Sequence, residues 1–113
     1  MRERAQRLLQ RFNTHYDKAV LEDLFMQKLD GVIINPPFFC DYGETIKFGK
    51  NVFVNYNCTF LSCNDIKIGA NTFIGPNVQL YTAIHPLNPE ERITGFESAK
   101  PITIGENCWL GGG

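Results

Sequence analysis

Hydrophobic positions recur every six residues through most of the chain beyond residue 47. Three runs keep this period without error: Phe48, Val54 and Phe60; Ile68, Ile74 and Leu80; Ile104 and Leu110. A period of six is neither that of an α-helix nor that of an alternating strand, so it indicates a structural repeat. We predict a coil of short parallel strands in which these side chains point inward and stack on their counterparts in the next coil.

Other positions of the six-residue unit are also restricted. Glycine often follows the aliphatic residue, at Gly49, Gly69, Gly75, Gly105 and Gly111, and asparagine follows in several units, at Asn51, Asn71, Asn77 and Asn107. The fifth position is small or β-branched, at Val52, Cys58, Thr72, Val78 and Cys108. We expect Gly and Asn in turns with unusual backbone angles, and the fifth residues, the two cysteines included, in the core.

The period breaks at two places. Two extra residues lie between Phe60 and Ile68, and a long excursion runs from about residue 84 to residue 101. Insertions in a repeat array mark loops on one face, and such loops often carry function. The excursion at 84–101 is therefore the predicted active-site loop.

Residues 1–30 have a different pattern, with few glycines and apolar residues at helical spacing. It predicts two short amphipathic helices with a break near Asn13–His15 and a helix end near Gly31. The chain divides into an N-terminal helical segment, 1–30, and a repeat region, 31–113. Four arginines crowd the first helix, either as a solvated face or as a patch for phosphate or a partner: Arg2, Arg4, Arg7 and Arg11.

Composition narrows the class of protein. The 113 residues are 43% hydrophobic and 20% charged, which is typical of one soluble globular domain. A net charge of -1 gives no basic field for nucleic acid or an anionic membrane, and no apolar run reaches the length of a membrane span. Without a signal-peptide pattern or a Cys-x-x-Cys pair, we expect a cytoplasmic protein with reduced cysteines and no metal.

One histidine lies at the start of the excursion, in the motif Tyr81–Pro86. A neutral imidazole is the natural general base for a hydroxyl or an amine, so His85 is a candidate catalytic residue. The other histidine, His15, falls in the helical segment and is predicted to be structural or exposed. Glu97, near the end of the excursion, could orient His85 by accepting its second N–H.

Several stretches together resemble the maltose/galactoside O-acetyltransferase group of hexapeptide-repeat acyltransferases. The similarity is carried by residues 68–78, 81–87 and 101–112, and by Pro36–Gly43 and Val54–Asn57. This resemblance implies a mainly β fold, a left-handed parallel β-helix, in a homotrimer with active sites at the clefts between subunits. It also implies acetyl-CoA as the donor and a saccharide hydroxyl as the acceptor.

The resemblance implies roles for individual residues. His85 would remove the proton from the acceptor hydroxyl, which attacks the acetyl-CoA thioester without an acyl-enzyme. Asn55 and the backbone N–H of Gly112 would stabilise the developing charge. Asp41 would contact the acceptor sugar, and Trp109 would line the acetyl-CoA side. Read without the resemblance, Asn55 and Asp41 could be turn residues and Trp109 a packing residue.

The chain departs from the pattern at three places. It begins too late to contain the upstream sugar-binding aspartate of the family, and it has Cys63 where some relatives carry a sugar-contacting acid. It also stops at Gly113, so we expect an incomplete donor site and an open coil end. These departures leave open the alternative that the chain is a non-catalytic fragment or scaffold.

Two further alternatives concern the reaction. A relative that acetylates an antibiotic or an amino-acid hydroxyl fits the same motifs. A zinc-dependent carbonic anhydrase of the same β-helix class would need three histidine ligands at each site, and the chain has two histidines in total.

Overall fold

A computed structural model describes residues 2–84 and 98–113. Two helices come first, α1 (Arg2–Thr14) and α2 (Lys18–Phe25). Twelve short strands follow in the described residues: β1 (Ile33–Ile34), β2 (Phe38–Cys40), β3 (Ile46–Phe48), β4 (Phe53–Val54), β5 (Cys58–Leu61), β6 (Ile66–Ile68), β7 (Phe73–Ile74), β8 (Gln79–Tyr81), β9 (Ala83–Ile84), β10 (Ser98–Ala99), β11 (Ile102–Ile104) and β12 (Trp109–Leu110).

The strands form three parallel sheets that the chain visits in turn. Sheet A contains β1, β4, β7 and β12, sheet B contains β2, β5 and β8, and sheet C contains β3, β6 and β11. In sheet A, Ile34 pairs with Val54, Val54 with Ile74, and Ile74 with Leu110. Each coil therefore passes once through every sheet, and the predicted coil of parallel strands is confirmed.

Two corners of this coil matter for the site. The A–B corner consists of the turns that leave sheet A, at residues 55–57, 75–77 and 111–113. The B–C corner consists of the turns that leave sheet B, at residues 41–45 and 62–65 and at Thr82. Strands β9 and β10 pair antiparallel just beyond the B–C corner, outside the coil.

The core follows the predicted period. Val54, Phe60, Ile68 and Ile74 are buried, and the other first-position residues pack half-buried against them: Phe48, Leu80, Ile104 and Leu110. The fifth positions are buried at Val52, Cys58, Thr72 and Val78, whereas Cys108 in the last coil is half-buried. The core is thus densest in the middle coils and more exposed at the last one.

Asparagine and glycine occupy the turns for different reasons. The four predicted turn asparagines have positive φ, between 57° and 61°, and Asn57 has a φ of 62°. None of the five glycines predicted for the turns has a positive φ, so the expectation of unusual angles is wrong for Gly49, Gly69, Gly75, Gly105 and Gly111. A Cβ on Gly49 would lie 2.7 Å from the Ala70 backbone nitrogen. Glycine is needed there because the next coil passes so close.

The helical segment covers the first coil. The Asn13 side chain accepts from the Phe38 N–H at 2.9 Å and donates to the Phe38 carbonyl at 3.0 Å. Gln27 does the same for β3, accepting from the Phe48 N–H and donating to the Ile46 carbonyl. These amides satisfy strand edges that would otherwise be open to another chain.

The second helix ends earlier than the glycine pattern indicated. It stops at Phe25, and Met26 takes the left-handed conformation of a helix C-cap. Gly31 also has a positive φ, but it lies in the turn that leads into β1. The predicted break between the helices agrees with the structure, since α1 ends at Thr14 and Asp17 caps α2.

Candidate active site

Asp41 lies at the B–C corner, directly after β2. Its carboxylate is half-buried and lies 4.0 Å from the Arg2 guanidinium, which also stands over the Tyr42 ring at 5.2 Å from the centroid. A carboxylate, a guanidinium and an aromatic face offer both acceptors and donors for a polar ligand. One of the four helix arginines therefore has a contact at the predicted site.

Side-chain hydroxyls hold the same corner together, and those of Ser62 and Thr82 are buried. Ser62 Oγ donates to the Tyr42 carbonyl at 2.7 Å, and Thr45 Oγ1 donates to the Ser62 carbonyl at 2.6 Å. Thr82 Oγ1 donates to the Leu61 carbonyl at 2.6 Å and lies 3.4 Å from the thiol of Cys63. Cys63, where relatives were expected to carry an acid, is therefore part of this corner.

The predicted loop leaves the coil at the B–C corner. The antiparallel pair of β9 and β10 joins its outgoing and returning chain, with Ala83 opposite Ala99 and Ile84 opposite Ser98. His85 follows Ile84 in the sequence, and Glu97 precedes Ser98. Both His85 and Glu97 lie outside the described residues, so their predicted roles stay predictions.

Asn55 lies at the A–B corner, directly after β4. Its Oδ1 accepts from the Tyr56 N–H at 2.8 Å, which fixes the amide plane. The Nδ2 group has no acceptor among the described residues, so both of its N–H bonds can be directed at a ligand. Asn55 can therefore be both a turn residue and a functional residue, because Oδ1 makes the turn contact and Nδ2 stays available to a ligand.

Gly112 lies at the same corner, two coils further along. Its backbone N–H has no acceptor within the described residues, although the neighbouring Gly113 N–H donates to the Pro76 carbonyl. Two strand spacings place Gly112 about 10 Å from Asn55. The two donors therefore lie along one corner of the coil, with Gly75 and Pro76 between them.

Trp109 belongs to an apolar stripe on the outer face of sheet A. In register along this face are Ile33, Phe53, Phe73 and Trp109. The Phe53 and Phe73 rings stack at 4.8 Å, and Trp109 meets Phe73 edge-on at 6.5 Å. Trp109 is 77% exposed. It is not a core-packing residue in this chain.

The candidate residues thus form two groups. Asn55, Gly112 and Trp109 lie at sheet A and the A–B corner, while Asp41 and the start of the loop lie at the B–C corner. The four residues of β5 separate the corners by about 13 Å. One small reacting group therefore cannot contact both corners of the same copy.

Two of the four cysteines, Cys40 and Cys58, are poor nucleophiles in their environment. Burial raises the pKa of the Cys40 thiol to about 12, and the nearby charges of Asp41 and Glu44 act in the same direction. Burial also raises the pKa of Cys58, whose Sγ lies 3.2 Å from the Gly75 carbonyl. These two thiols stay protonated at neutral pH, as expected for packing residues.

Other features of the described residues lie apart from the two groups. A cavity of about 450 Å³ opens between the helices, and none of the six side chains lining it is a predicted site residue: Gln10, Arg11, Thr14, His15, Asp17 and Val20. Within 2–84 and 98–113, no cluster of three His, Cys, Asp or Glu side chains could hold a metal. Neither described helix has the length and apolar character of a membrane span.

Sequence reasoning missed the anchoring role of Thr82 and the pairing of Arg2 with Asp41. Thr82 lies in the quoted motif Tyr81–Pro86, but a threonine between two strands carries no signal that its hydroxyl reaches the preceding coil. Arg2 and Asp41 are far apart in sequence, and only the packing of α1 against β2 brings them together.

Comparison with solved structures gives close matches over nearly the whole chain. A maltose O-acetyltransferase from Clostridium difficile superposes with a TM-score of 0.94 at 38% identity, covering 99% of this chain and 63% of that one. A hexapeptide-repeat acetyltransferase from Vibrio cholerae, solved in complex with acetyl-CoA, has the same TM-score at 36% identity, covering 98% and 63%. A galactoside acetyltransferase in complex with coenzyme A gives 0.90 at 32% identity, covering 96% and 57%.

Sequence comparison agrees with these structures. Nodulation protein L of Rhizobium leguminosarum is 49% identical over 83 residues, 74% of this chain and 44% of that protein. The chain spans about half the length of the curated relatives it matches. No protein-family model matches it. The predicted left-handed parallel β-helix with a short helical segment is confirmed by these hexapeptide-repeat neighbours and by the sheet order.

Proposed function

Because the chain belongs to the maltose/galactoside O-acetyltransferase family of hexapeptide-repeat acyltransferases, we propose that it transfers an acetyl group from acetyl-CoA to a hydroxyl of a saccharide. The observation that carries this proposal is the A–B corner. There, two N–H donors without acceptors among the described residues, from Asn55 and Gly112, lie beside the exposed indole of Trp109.

In the proposed reaction, His85 takes the proton of the acceptor hydroxyl while the oxygen attacks the thioester carbonyl. The carbonyl oxygen becomes an oxyanion, and the Asn55 amide is the donor that stabilises it. The Gly112 N–H, about 10 Å from Asn55, would donate instead to another oxygen of acetyl-CoA. The C–S bond then breaks, and the thiolate of CoA takes the proton held by the imidazole. The high pKa of the Cys40 thiol and the raised pKa of the Cys58 thiol make these two side chains unsuited to an acyl-cysteine route.

Binding of the two substrates would use opposite sides of the site. Trp109, on the stripe of sheet A, would pack against acetyl-CoA, since an exposed indole offers a large apolar face. Asp41 would accept hydrogen bonds from sugar hydroxyls, with Arg2 holding its carboxylate and donating beside it. Glu97 would orient His85.

The separation of the two corners supports a site shared by two copies. One copy would supply His85 and Asp41 from its B–C corner, and its neighbour would supply Asn55, Gly112 and Trp109. The rest of the apolar stripe of sheet A, Ile33, Phe53 and Phe73, would face that neighbour, because exposed apolar patches of this kind mark interaction surfaces. A closed homotrimer has three such contacts, and it is the assembly we propose.

The test is release of CoA thiol from acetyl-CoA with a panel of mono- and disaccharides. We expect acceptor-dependent release that falls by about 10²- to 10⁴-fold in His85→Ala. His15→Ala is the matched control, since His15 is exposed in the helical segment, and it should keep the wild-type rate. Equal rates in His85→Ala and the wild type would contradict the assignment of the base.

The same assay addresses the alternative of a non-catalytic scaffold. A folded chain that binds no CoA and releases none with any acceptor would support it. Transfer only to an antibiotic or an amino-acid hydroxyl would correct the acceptor class. Four free cysteines and a CoA donor are consistent with the cytoplasm as the proposed location.

A further inference from the structure

Thr82 is one of three polar residues that are buried in the part of the chain the structure describes, with Ser62 and Thr72. Its Oγ1 donates to the Leu61 carbonyl at 2.6 Å and accepts from the Asn64 N–H at 3.2 Å. A buried hydroxyl that both donates and accepts has its rotamer and position fixed. Thr82 is therefore tied to both ends of the turn in the preceding coil.

The backbone of Thr82 adds two further bonds. Its N–H donates to the Leu61 carbonyl at 3.0 Å, and its carbonyl accepts from the Lys100 N–H at 3.0 Å. Between Thr82 and Lys100 run β9, residues 85–97 and β10. One residue thus connects the preceding coil, the point where the chain leaves for the excursion and the point where it returns.

The other buried hydroxyls have a simpler task. Thr72 Oγ1 donates to the Gly105 carbonyl at 2.9 Å and accepts from the Cys108 N–H at 3.3 Å, so it joins one coil to the next. Ser62 Oγ exchanges hydrogen bonds with the Tyr42 backbone in the same way. Only Thr82, among these three, also lies at the base of the excursion.

We infer that Thr82 is a positioning residue for His85, acting through the β9–β10 stem. The inference rests on the proposed function, in which His85 is the general base. A base must lie within hydrogen-bond reach of the proton it takes, and a displacement of 1 Å can cost up to about 100-fold in rate. The Thr82 hydroxyl fixes the last coil position before Ala83, Ile84 and His85.

The test compares Thr82→Val, Thr82→Ser and Thr72→Val. Valine has the shape of threonine without the hydroxyl, and serine restores the hydroxyl. We expect Thr82→Val to lower kcat by about tenfold or more while the KM for acetyl-CoA changes by less than about twofold. Thr82→Ser should recover most of the rate. Thr72→Val, which removes an equivalent pair of hydrogen bonds elsewhere, should keep the wild-type kcat.

Two activity results would overturn the inference: a wild-type kcat in Thr82→Val, or an equal loss in Thr72→Val. A readout that does not need activity separates this failure from that of the proposed function. The imidazole NMR signals of His85 should shift or broaden in Thr82→Val and stay unchanged in Thr72→Val. If no acceptor supports CoA release by the wild type, the proposed function fails, and the NMR signals alone test the role of Thr82. A change specific to Thr82→Val would support that role, and unchanged signals would reject it.

Discussion

The A–B and B–C corners join neighbouring sheets of the same coil, yet they are built differently. The A–B corner is tight, and backbone bonds run through it from coil to coil, from Asn55 to Ile74, from Gly75 to Leu110 and from Gly113 to Pro76. The B–C corner is wider, and side-chain hydroxyls of Thr45, Ser62 and Thr82 hold it.

The difference shows how one repeat can supply two kinds of functional group. A tight corner without inserted residues presents N–H donors in a rigid arrangement, which suits stabilisation of charge. A wide corner can release the chain into an excursion and take it back, which suits a proton-transferring side chain and an acceptor site. The predictions below test whether the two corners have these separate tasks.

The largest single effect at the A–B corner is expected for Asn55→Ala. Loss of an amide that stabilises the oxyanion should lower kcat by about 10²-fold, equivalent to about 3 kcal/mol. Steady-state CoA release measures it. Asn35, one coil earlier in register, gives the control Asn35→Ala, which should leave kcat unchanged. Equal losses in both variants would mean that the effect is structural.

A mixing experiment tests whether the corners of different copies meet. His85→Ala and Asn55→Ala are each expected to be nearly inactive, but a co-expressed equal mixture should regain about a quarter of the wild-type activity. That fraction follows if each site takes His85 from one copy and Asn55 from its neighbour in a symmetric assembly.

The controls for mixing are the same variants purified separately and combined without refolding or subunit exchange. They should stay inactive. A co-expressed mixture that regains no activity would indicate that each site takes His85 and Asn55 from the same copy. It would contradict the proposal that the corners of different copies meet.

The repeat made the fold predictable, because a period of six assigns each residue to a face or a turn. The buried positions Val54 and Ile74 and the left-handed turns at Asn51 and Asn71 agree with that assignment. The role of Gly49 was harder to predict from the sequence. A turn glycine and a close-approach glycine look alike in sequence, and only the spacing between coils distinguishes them.

The candidate site was less predictable than the fold. Asn55 and Gly112 are distant in sequence and share a corner only because two coils intervene at constant spacing. The Thr82 hydroxyl has its partners in the preceding coil, which no local pattern reveals. For His85 and Glu97, outside the described residues, the sequence remains the basis of the assignment.

Trp109→Ala tests the donor side of the tight corner. Removing the exposed indole should raise the KM for acetyl-CoA by about tenfold, equivalent to about 1.4 kcal/mol, with kcat little changed. The control is Phe39→Ala, since Phe39 is an exposed aromatic on the outer face of sheet B. A loss of the proposed trimer in Trp109→Ala, measured by sedimentation, would instead assign the indole to the subunit contact.

The smallest effect is expected at the wide corner, for Asp41→Asn. Asparagine keeps the size of the side chain but accepts hydrogen bonds more weakly, so the KM for the saccharide should rise about fivefold, equivalent to about 1 kcal/mol. Stability should change little, because the Arg2 contact is long, at 4.0 Å, and the Arg2 side chain is mostly exposed to water. Asp65→Asn, at the same corner in the next coil, is the matched control and should leave both constants unchanged. A rise in the KM for acetyl-CoA rather than for the sugar would assign Asp41 to the donor side. It would contradict the proposal that the two corners have separate roles.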